Sequence, residues 1–591
     1  MNSNAWRARL LATLAAVVLA AAACSDDGDG AAEESTGQGF GECAELPNTC
    51  NSGERTDGGS ITWIVESLPA AWASISSSGG SVYTLQMLHG ILPHTGQFEP
   101  DGEAYKFNMD LLAEEPELLS EDPFSYQFKI RDEAVWDDGT PITAEDFVVT
   151  WHMSASESEG YCVGCDSRSA AGADRIESII GSDEGKTVTI TLKPGQADPE
   201  WFAWGGTDDI AGGIMPAHIA AQNNFDVSDP EQLGQYFEYL HTTMPTWSGG
   251  PYRLVEGDLG NSVIKEPNDA WYGEIDPTLD TYIVRFLTDQ GAWTAALANG
   301  EVHGANPTQL NEDIVTQLDG MDNVLVNIGP GPSWEHIDFN LDVPAFADVN
   351  LRLAIFTAID TAEIAERVIG PLYPDYTLRT NHGFPERSPY HVDLLTESGQ
   401  GSGDADSARA ILESAGYEWD ADGTLMMDGE QIGPFRLRST GTPVRVTSME
   451  LIQSYLAEIG IDVAIEPTDD LGTMLVEQDY DIAQFGWSGS PLFVGQPAQH
   501  WMTDSGSNFG NYSNPVLDEL ALAQFEATSP DEAAAIANEA VELLVPDAYV
   551  LPMFDVPVYM FVTDDYINVR DNGAASLRAF YENHTWGTVA Q

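Results

Sequence analysis

The chain has 591 residues, too many for one ordinary domain and enough for two or three lobes. Hydrophobic residues make up 43% of it and aromatics 10%, which excludes a disordered chain and calls for a sizeable packed core. Asp and Glu number 95 against 23 Lys and Arg, and a formal charge of −72 repels phosphate backbones and excludes a nucleic-acid partner.

The acids are spread through the whole chain, and Lys106, Lys129, Lys186, Lys193 and Lys265 are the only lysines. A solvated acidic surface of this kind suits a saline habitat, where salt screens the self-repulsion; lineage-wide composition bias accounts for it equally well.

The first 24 residues read as an export address. Arg7 and Arg9 form a short basic region, and Leu10 to Ala23 is an apolar run too short to span a bilayer comfortably. The run ends in Ala21-Ala22-Ala23-Cys24, followed by Ser25-Asp26-Asp27. This resembles the lipobox of bacterial lipoproteins, with Ala21 where Leu is commoner. The resemblance implies a lipid-modified Cys24 and a protein exported to the outer face of the cell membrane, held there by a lipid anchor only. Residues 25–58, rich in Gly, Asp, Glu, Ser and Thr, read as a flexible acidic tether.

Four cysteines remain, and outside the cytoplasm they should form disulfides. Proximity pairs Cys43 with Cys50 and Cys162 with Cys165, although four cysteines allow three connectivities. Cys162-Val163-Gly164-Cys165 also has the spacing of a redox pair or half a zinc site. No His adjoins it, which favours a local loop staple.

Order is expected to begin near Ser60, with Ile61 to Val65 as a buried strand. Ser81 to His89 predicts a helix closed by Gly90. Tyr126 to Arg131 alternates apolar and polar residues and predicts a half-buried strand. Asp137-Asp138-Gly139-Thr140-Pro141 is then a tight turn, and Thr143 caps a helix running through Trp151. Val188 to Leu192 is a strand, and Tyr252 to Val255 with Ser262 to Lys265 makes a hairpin-like pair. Helices are predicted over 292–299, 350–359, 406–414 and 449–459. Strand and helix alternate without a strict repeat, which predicts a mixed α/β fold.

The order of motifs resembles the family 5 solute-binding proteins of ABC importers, the group that includes oligopeptide, dipeptide and nickel binders. Val135-Trp136-Asp137-Asp138-Gly139-Thr140-Pro141 through Phe147 resembles the family's W-x-D-G-x-P turn and capped helix. Gly249-Gly250-Pro251-Tyr252 and Asn268 through Gly273 resemble its GPY and N-x-x-Y/W-G elements. Phe339-Asn340, Pro344 to Asp348 and Arg352 to Asp360 resemble its hinge strand and following helix. Leu412 to Tyr417, Tyr480 to Trp487 and Asn511 to Asp518 complete the series. Most of these residues should hold turns and helix packing; Trp136 and Asp138 secure the turn.

The resemblance implies a two-lobed, periplasmic-binding-protein type II-like α/β fold with an extra small domain, the cluster C type. It places lobe I in 59–87, 246–335 and 551–591, the small domain in 88–245, and lobe II in 336–550. The chain should cross between lobes near Trp334 to Asn340 and return near Val550 to Asp555. A small solute, peptide or peptide-like, is expected between the lobes, with a membrane permease as partner and the protein a monomer. Some mycobacterial lipoproteins of this fold are thought to regulate cell-envelope lipid assembly instead, and genomic neighbours would tell the two apart.

No enzyme motif competes. There is no H-E-x-x-H, no G-x-S-x-G elbow, no Walker lysine motif and no dinucleotide G-x-G-x-x-G. Asp420-Ala421-Asp422-Gly423 starts like a Ca²⁺ loop but lacks the remaining ligands, and a β-turn is expected. No cofactor, metal or catalytic residue is expected.

Peptide binders of the family hold the ligand's amino terminus with an Asp just after the G-W motif. Here the stretch is Trp487-Ser488-Gly489-Ser490-Pro491-Leu492, without the Asp. An enclosed ammonium needs a carboxylate partner, and Glu66, Asp338 or Asp555 are the candidates to supply it. The expected ligand contacts are Glu66, Trp334, Asp338, Asn340, Trp487, Ser488, Ser490 and Phe554: aromatic walls with a few orienting polar groups.

Overall fold

The computed structural model describes residues 39–102, 105–170, 172–207, 211–308, 312–468, 470–489 and 495–590. The signal segment with Cys24, residues 25–38 and Ser490 lie outside the described residues.

The fold is built on one ten-stranded mixed sheet that runs through two lobes. Strand Ser60–Val65 lies inside the first lobe with five consecutive buried residues. It is apolar on both faces because parallel neighbours flank it, Thr281–Phe286 on one side and Gly304–Ala305 on the other. The antiparallel strands Ser262–Pro267 and Tyr252–Asp258 extend this half. In the second lobe Ile482–Ser488, Phe435–Thr440 and Val463–Thr468 follow one another outward.

Two long antiparallel strands belong to both halves. Val324–Phe339 has 16 residues and Val550–Thr563 has 14. Their pairing runs from Val324↔Thr563 to Pro330↔Pro557 and resumes at Trp334↔Asp555, so Gly331, Pro332 and Ser333 stand against Val556 alone. A further slip falls between Glu335 and His336. Extra residues of this kind bend a ribbon and end regular pairing, and Pro332 cannot donate to a ladder. Gly331 is required: a Cβ there would meet the Val556 carbonyl oxygen at 2.3 Å. Side chains change lobe across this point. Leu551, Met553 and Phe554 join the core of the second lobe, whereas Met560, Phe561 and Val562 join those of the first. The bend therefore sits at Gly331–Trp334 and Asp555–Pro557.

The small domain carries an antiparallel sheet in the order Glu117–Glu121, Phe124–Lys129, Thr187–Leu192, Ile176–Ser182. Helix Ala144–Ser154 opens with a capping box between Thr143 and Asp146. Asp146 also accepts the Ala217 N–H at 2.8 Å, and its burial raises its pKa to about 7. Trp136 is fully buried, and Asp138 accepts the Thr140 N–H at 2.9 Å, so both hold the turn. The small domain and the first lobe share one continuous hydrophobic core.

Two expectations change. Residues 39–58 are not a free tether. Cys43 is bonded to Cys50, Asn51 is buried with its Nδ2 donating to the Val569 carbonyl at 2.8 Å, and Arg55–Thr56 pairs with Gly587–Val589. The C-terminal segment offers a strand edge and a polar cradle that no local pattern announces. The helix expected at 449–459 runs over Pro443–Glu458, because Pro443 is preset for a first helical turn. Cys162 is bonded to Cys165, and Asp420 accepts the Asp422 and Thr424 N–H groups in a tight turn.

Candidate functional site

The bend of the two long strands opens a space of about 100 Å³ between the lobes. Glu66, Tyr83 and Thr308 line it from the first lobe, Ser333 and Val556 from the bend, and Ser488 from the second lobe. A neighbouring space of about 410 Å³ shares Thr308 and Val556 and is bounded by Glu335, Arg445, Phe554 and Tyr559.

Glu66 follows directly on the central strand, so the end of that strand delivers its carboxylate to the opening. Its Oε1 accepts the Thr308 N–H at 2.9 Å, the Thr308 hydroxyl at 2.6 Å and the Tyr83 hydroxyl at 3.3 Å. Burial and the Glu66 charge together push the Tyr83 pKa up to about 12, so Tyr83 stays a donor. Among the described residues no cation pairs with Glu66. The other carboxylates near the bend are spent. Glu335 is gripped by Arg445, Nη2 to Oε1 at 2.7 Å and Nε to Oε2 at 3.1 Å. Asp555 accepts Arg379 Nη1 at 2.8 Å and the Thr377 hydroxyl at 3.1 Å. Asp338 is bonded to His336 Nδ1 at 2.7 Å inside the second lobe.

A space between two lobes, at a bend in the two long strands of the main sheet that join them, is where a binding protein closes on its ligand. The family described as bacterial extracellular solute-binding proteins, family 5 Middle, matches residues 109–509, well over half of the chain. The chain belongs to this family. It is 26% identical over 538 residues to the oligopeptide-binding protein OppA of Mycobacterium tuberculosis, across 88% of this chain and 84% of that one. Among solved structures it is 28% identical to the periplasmic EDTA-binding protein EppA, with a TM-score of 0.83 over 92% of this chain and 99% of that one. The oligopeptide-binding protein AppA from Bacillus subtilis, solved with a nonapeptide, shares the fold at 20% identity and a TM-score of 0.67, over 91% and 100% of the two chains.

A family 5 solute-binding protein is a binding protein rather than an enzyme, and it works outside the cytoplasm. Among the described residues no helix is long and apolar enough to cross a membrane.

The structure divides the expected ligand contacts. Glu66 and Ser488 line the interlobe space, where the Ser333 hydroxyl donates to Ser488 at 3.3 Å. Phe554 is wholly buried in the second lobe's core, with one edge toward the neighbouring space. Trp334 packs with Trp501 and Tyr512 under the Arg379 guanidinium, 5.0 Å from its ring. Asn340 ties strands together by donating to the Tyr480 carbonyl at 3.0 Å. Trp487 stacks on His500 at 4.0 Å and lies against Phe509, on the strand face opposite Ser488. Successive strand residues point to opposite faces, so placing Ser488 in the opening turns Trp487 inward. Trp487→Ala should therefore cost about 3 kcal/mol of stability by leaving a void in this stack. An unchanged denaturation midpoint would show that the stack does not hold it.

Tyr83, Thr308, Ser333 and the Arg445–Glu335 pair carry no motif. Only the alternation of residues along 482–488 was available in the sequence to single out Ser488.

Proposed function

We propose that this protein captures a small solute ending in an ammonium group, a short peptide or peptide-like molecule, and delivers it to an ABC permease. It acts as a monomer, tethered to the outer face of the cell membrane through Cys24. The observation that carries this reading is the Glu66 carboxylate, which faces the opening with four hydrogen-bond donors, Gln290 Nε2 to Oε2 at 3.5 Å being the fourth, and no cation among the described residues. A charge held without a counter-ion at a site that closes is satisfied by the ligand. It also replaces the missing Asp after Trp487, from the opposite lobe.

The similarity to an EDTA-binding protein raises a metal chelate as the competing ligand. An anionic chelate would meet Glu66 as a like charge, while Arg445 is already committed to Glu335.

Thermal unfolding in molar salt tests this. Short peptides with a free amino terminus, at about 100 times their Kd, should add about 2.7 kcal/mol to the folded state. The same peptides acetylated at the amino terminus should add nothing. Glu66→Gln keeps the Thr308 hydrogen bonds, so its unliganded midpoint should not move, yet the peptide shift should disappear. A shift with metal–EDTA and none with peptides would assign the site to chelates.

A further inference from the structure

A second cavity, of about 230 Å³, lies apart from the interlobe space, where the small domain meets the first lobe. Its walls come from the segment His89–His94, the hairpin Gly96–Phe98 with Tyr105–Phe107, and the C-terminal turn Glu582–His584. The fourth wall is made by Gly249-Gly250-Pro251 and Trp271-Tyr272, two sequence motifs that play no part in the interlobe site.

The chemistry of this cavity is one-sided. Asp110 accepts a single backbone N–H, from Glu274 at 2.8 Å, and forms no ion pair among the described residues. The cations nearby are committed elsewhere: Lys106 to Glu582 at 2.5 Å, Lys265 to the His89 carbonyl at 2.8 Å, and Arg131 to the Met109 carbonyl at 3.4 Å and to Glu133 at 3.7 Å. Gln97 is 7% exposed, and its Oε1 has no hydrogen-bond partner. A buried acceptor left unpaired costs stability unless something donates to it. Burial lowers the pKa of His89, His94 and His584, that of His94 to about 4, so the three imidazoles bring no positive charge at neutral pH. The mouth is apolar: Met109 and Ile275 are 45% and 42% exposed, and the Trp271 ring lies beside His584.

A bare metal ion does not fit. Among the described residues no three His, Cys, Asp or Glu side chains converge to hold one, and the space has the size of an organic molecule.

We propose that this cavity is a second ligand site for a small organic cation, an amine on an apolar or aromatic body. Its charge rests on Asp110 and Gln97, and its body lies against Trp271 and Met109. Ammonium donors answer the unpaired acceptors, and an aromatic face beside them favours a cation.

Isothermal titration of the full chain with phenethylamine tests this, with phenethyl alcohol as its neutral counterpart. The amine should bind saturably and the alcohol at least tenfold more weakly. Asp110→Asn should weaken the amine at least tenfold. Gln97→Met removes an acceptor without a partner, so it should fold normally and still weaken the amine. The proposal is overturned if the amine gives no saturable heat, if the alcohol binds equally well, or if binding survives Asp110→Asn and Gln97→Met.

Discussion

Asp555→Asn should cost the fold about 3–5 kcal/mol, because it leaves the Arg379 guanidinium buried and uncompensated. Arg379 is 5% exposed and sits at the bend between the lobes. It donates to Asp555 at 2.8 Å, to the Asn381 carbonyl at 2.9 Å and to the Gly383 carbonyl at 2.7 Å, and it lies over the Trp334 ring. Burial penalises its charged form, and the Asp555 carboxylate opposes that penalty. Asparagine keeps the shape and removes the charge. A loss of this size is a large part of the 5–15 kcal/mol that holds most proteins folded. Replacing both partners, Asp555→Leu with Arg379→Met, should recover most of it, since no charge is then left behind. Urea unfolding in molar salt measures both variants. A single variant within about 0.5 kcal/mol of the parent would show that water reaches the guanidinium.

Acidification from pH 7.5 to 5.5 should lower the unfolding midpoint steeply. Nine histidines have pKa values held below that of a free imidazole, burial being the largest cause in each. His94, His152 and His382 lie at about 4, and His500 at about 3. Below about pH 6.5 the unfolded chain binds a proton at each of these sites and the folded chain binds few. Stability is then fully present above that pH and falls as the pH drops, by about 1.4 kcal/mol per pH unit for each proton of difference. Half-exposed rings such as His391 contribute less, because water screens them. Three carboxyls act in the opposite sense, half-buried Glu99 among them, raised by its burial. Burial raises Asp146 to about 7 and Glu200 to about 8, so their contribution is whole below pH 4 and fades as the pH rises through those values. Nine sites against three leave the net loss on the acid side. A midpoint that stays level or rises between pH 7.5 and 5.5 would contradict this balance.

The hinge shows why some residues could be placed from the sequence and others not. Trp334 and Phe554 are aromatic residues in the crossing strands, and by type they serve equally as pocket walls or as core. The burial of Trp334 is decided by Arg379, Trp501 and Tyr512, which arrive from 45 to 178 positions farther along the chain, and that of Phe554 by the core of the second lobe. Asp338, Asp555 and Glu66 are alike as carboxylates; a histidine two residues away, an arginine 176 residues away, and the lack of any cation set them apart. Trp487 and Ser488 differ by a single step, and the pleat sends one inward and the other to the opening.

What the sequence determined by itself was local and repetitive: the capped helix after Thr143, the strand alternation, the turn at Asp138, and a motif order sufficient to place the chain in its family. Each of these is written within about a dozen residues, where backbone preferences and side-chain period act directly. Only the tertiary structure decided the bend at Gly331 and Val556, the docking of residues 39–58 on the C-terminal segment, and which carboxylate kept its charge free. Those depend on partners brought from across the chain, and a charge is free or spent only relative to neighbours that folding supplies.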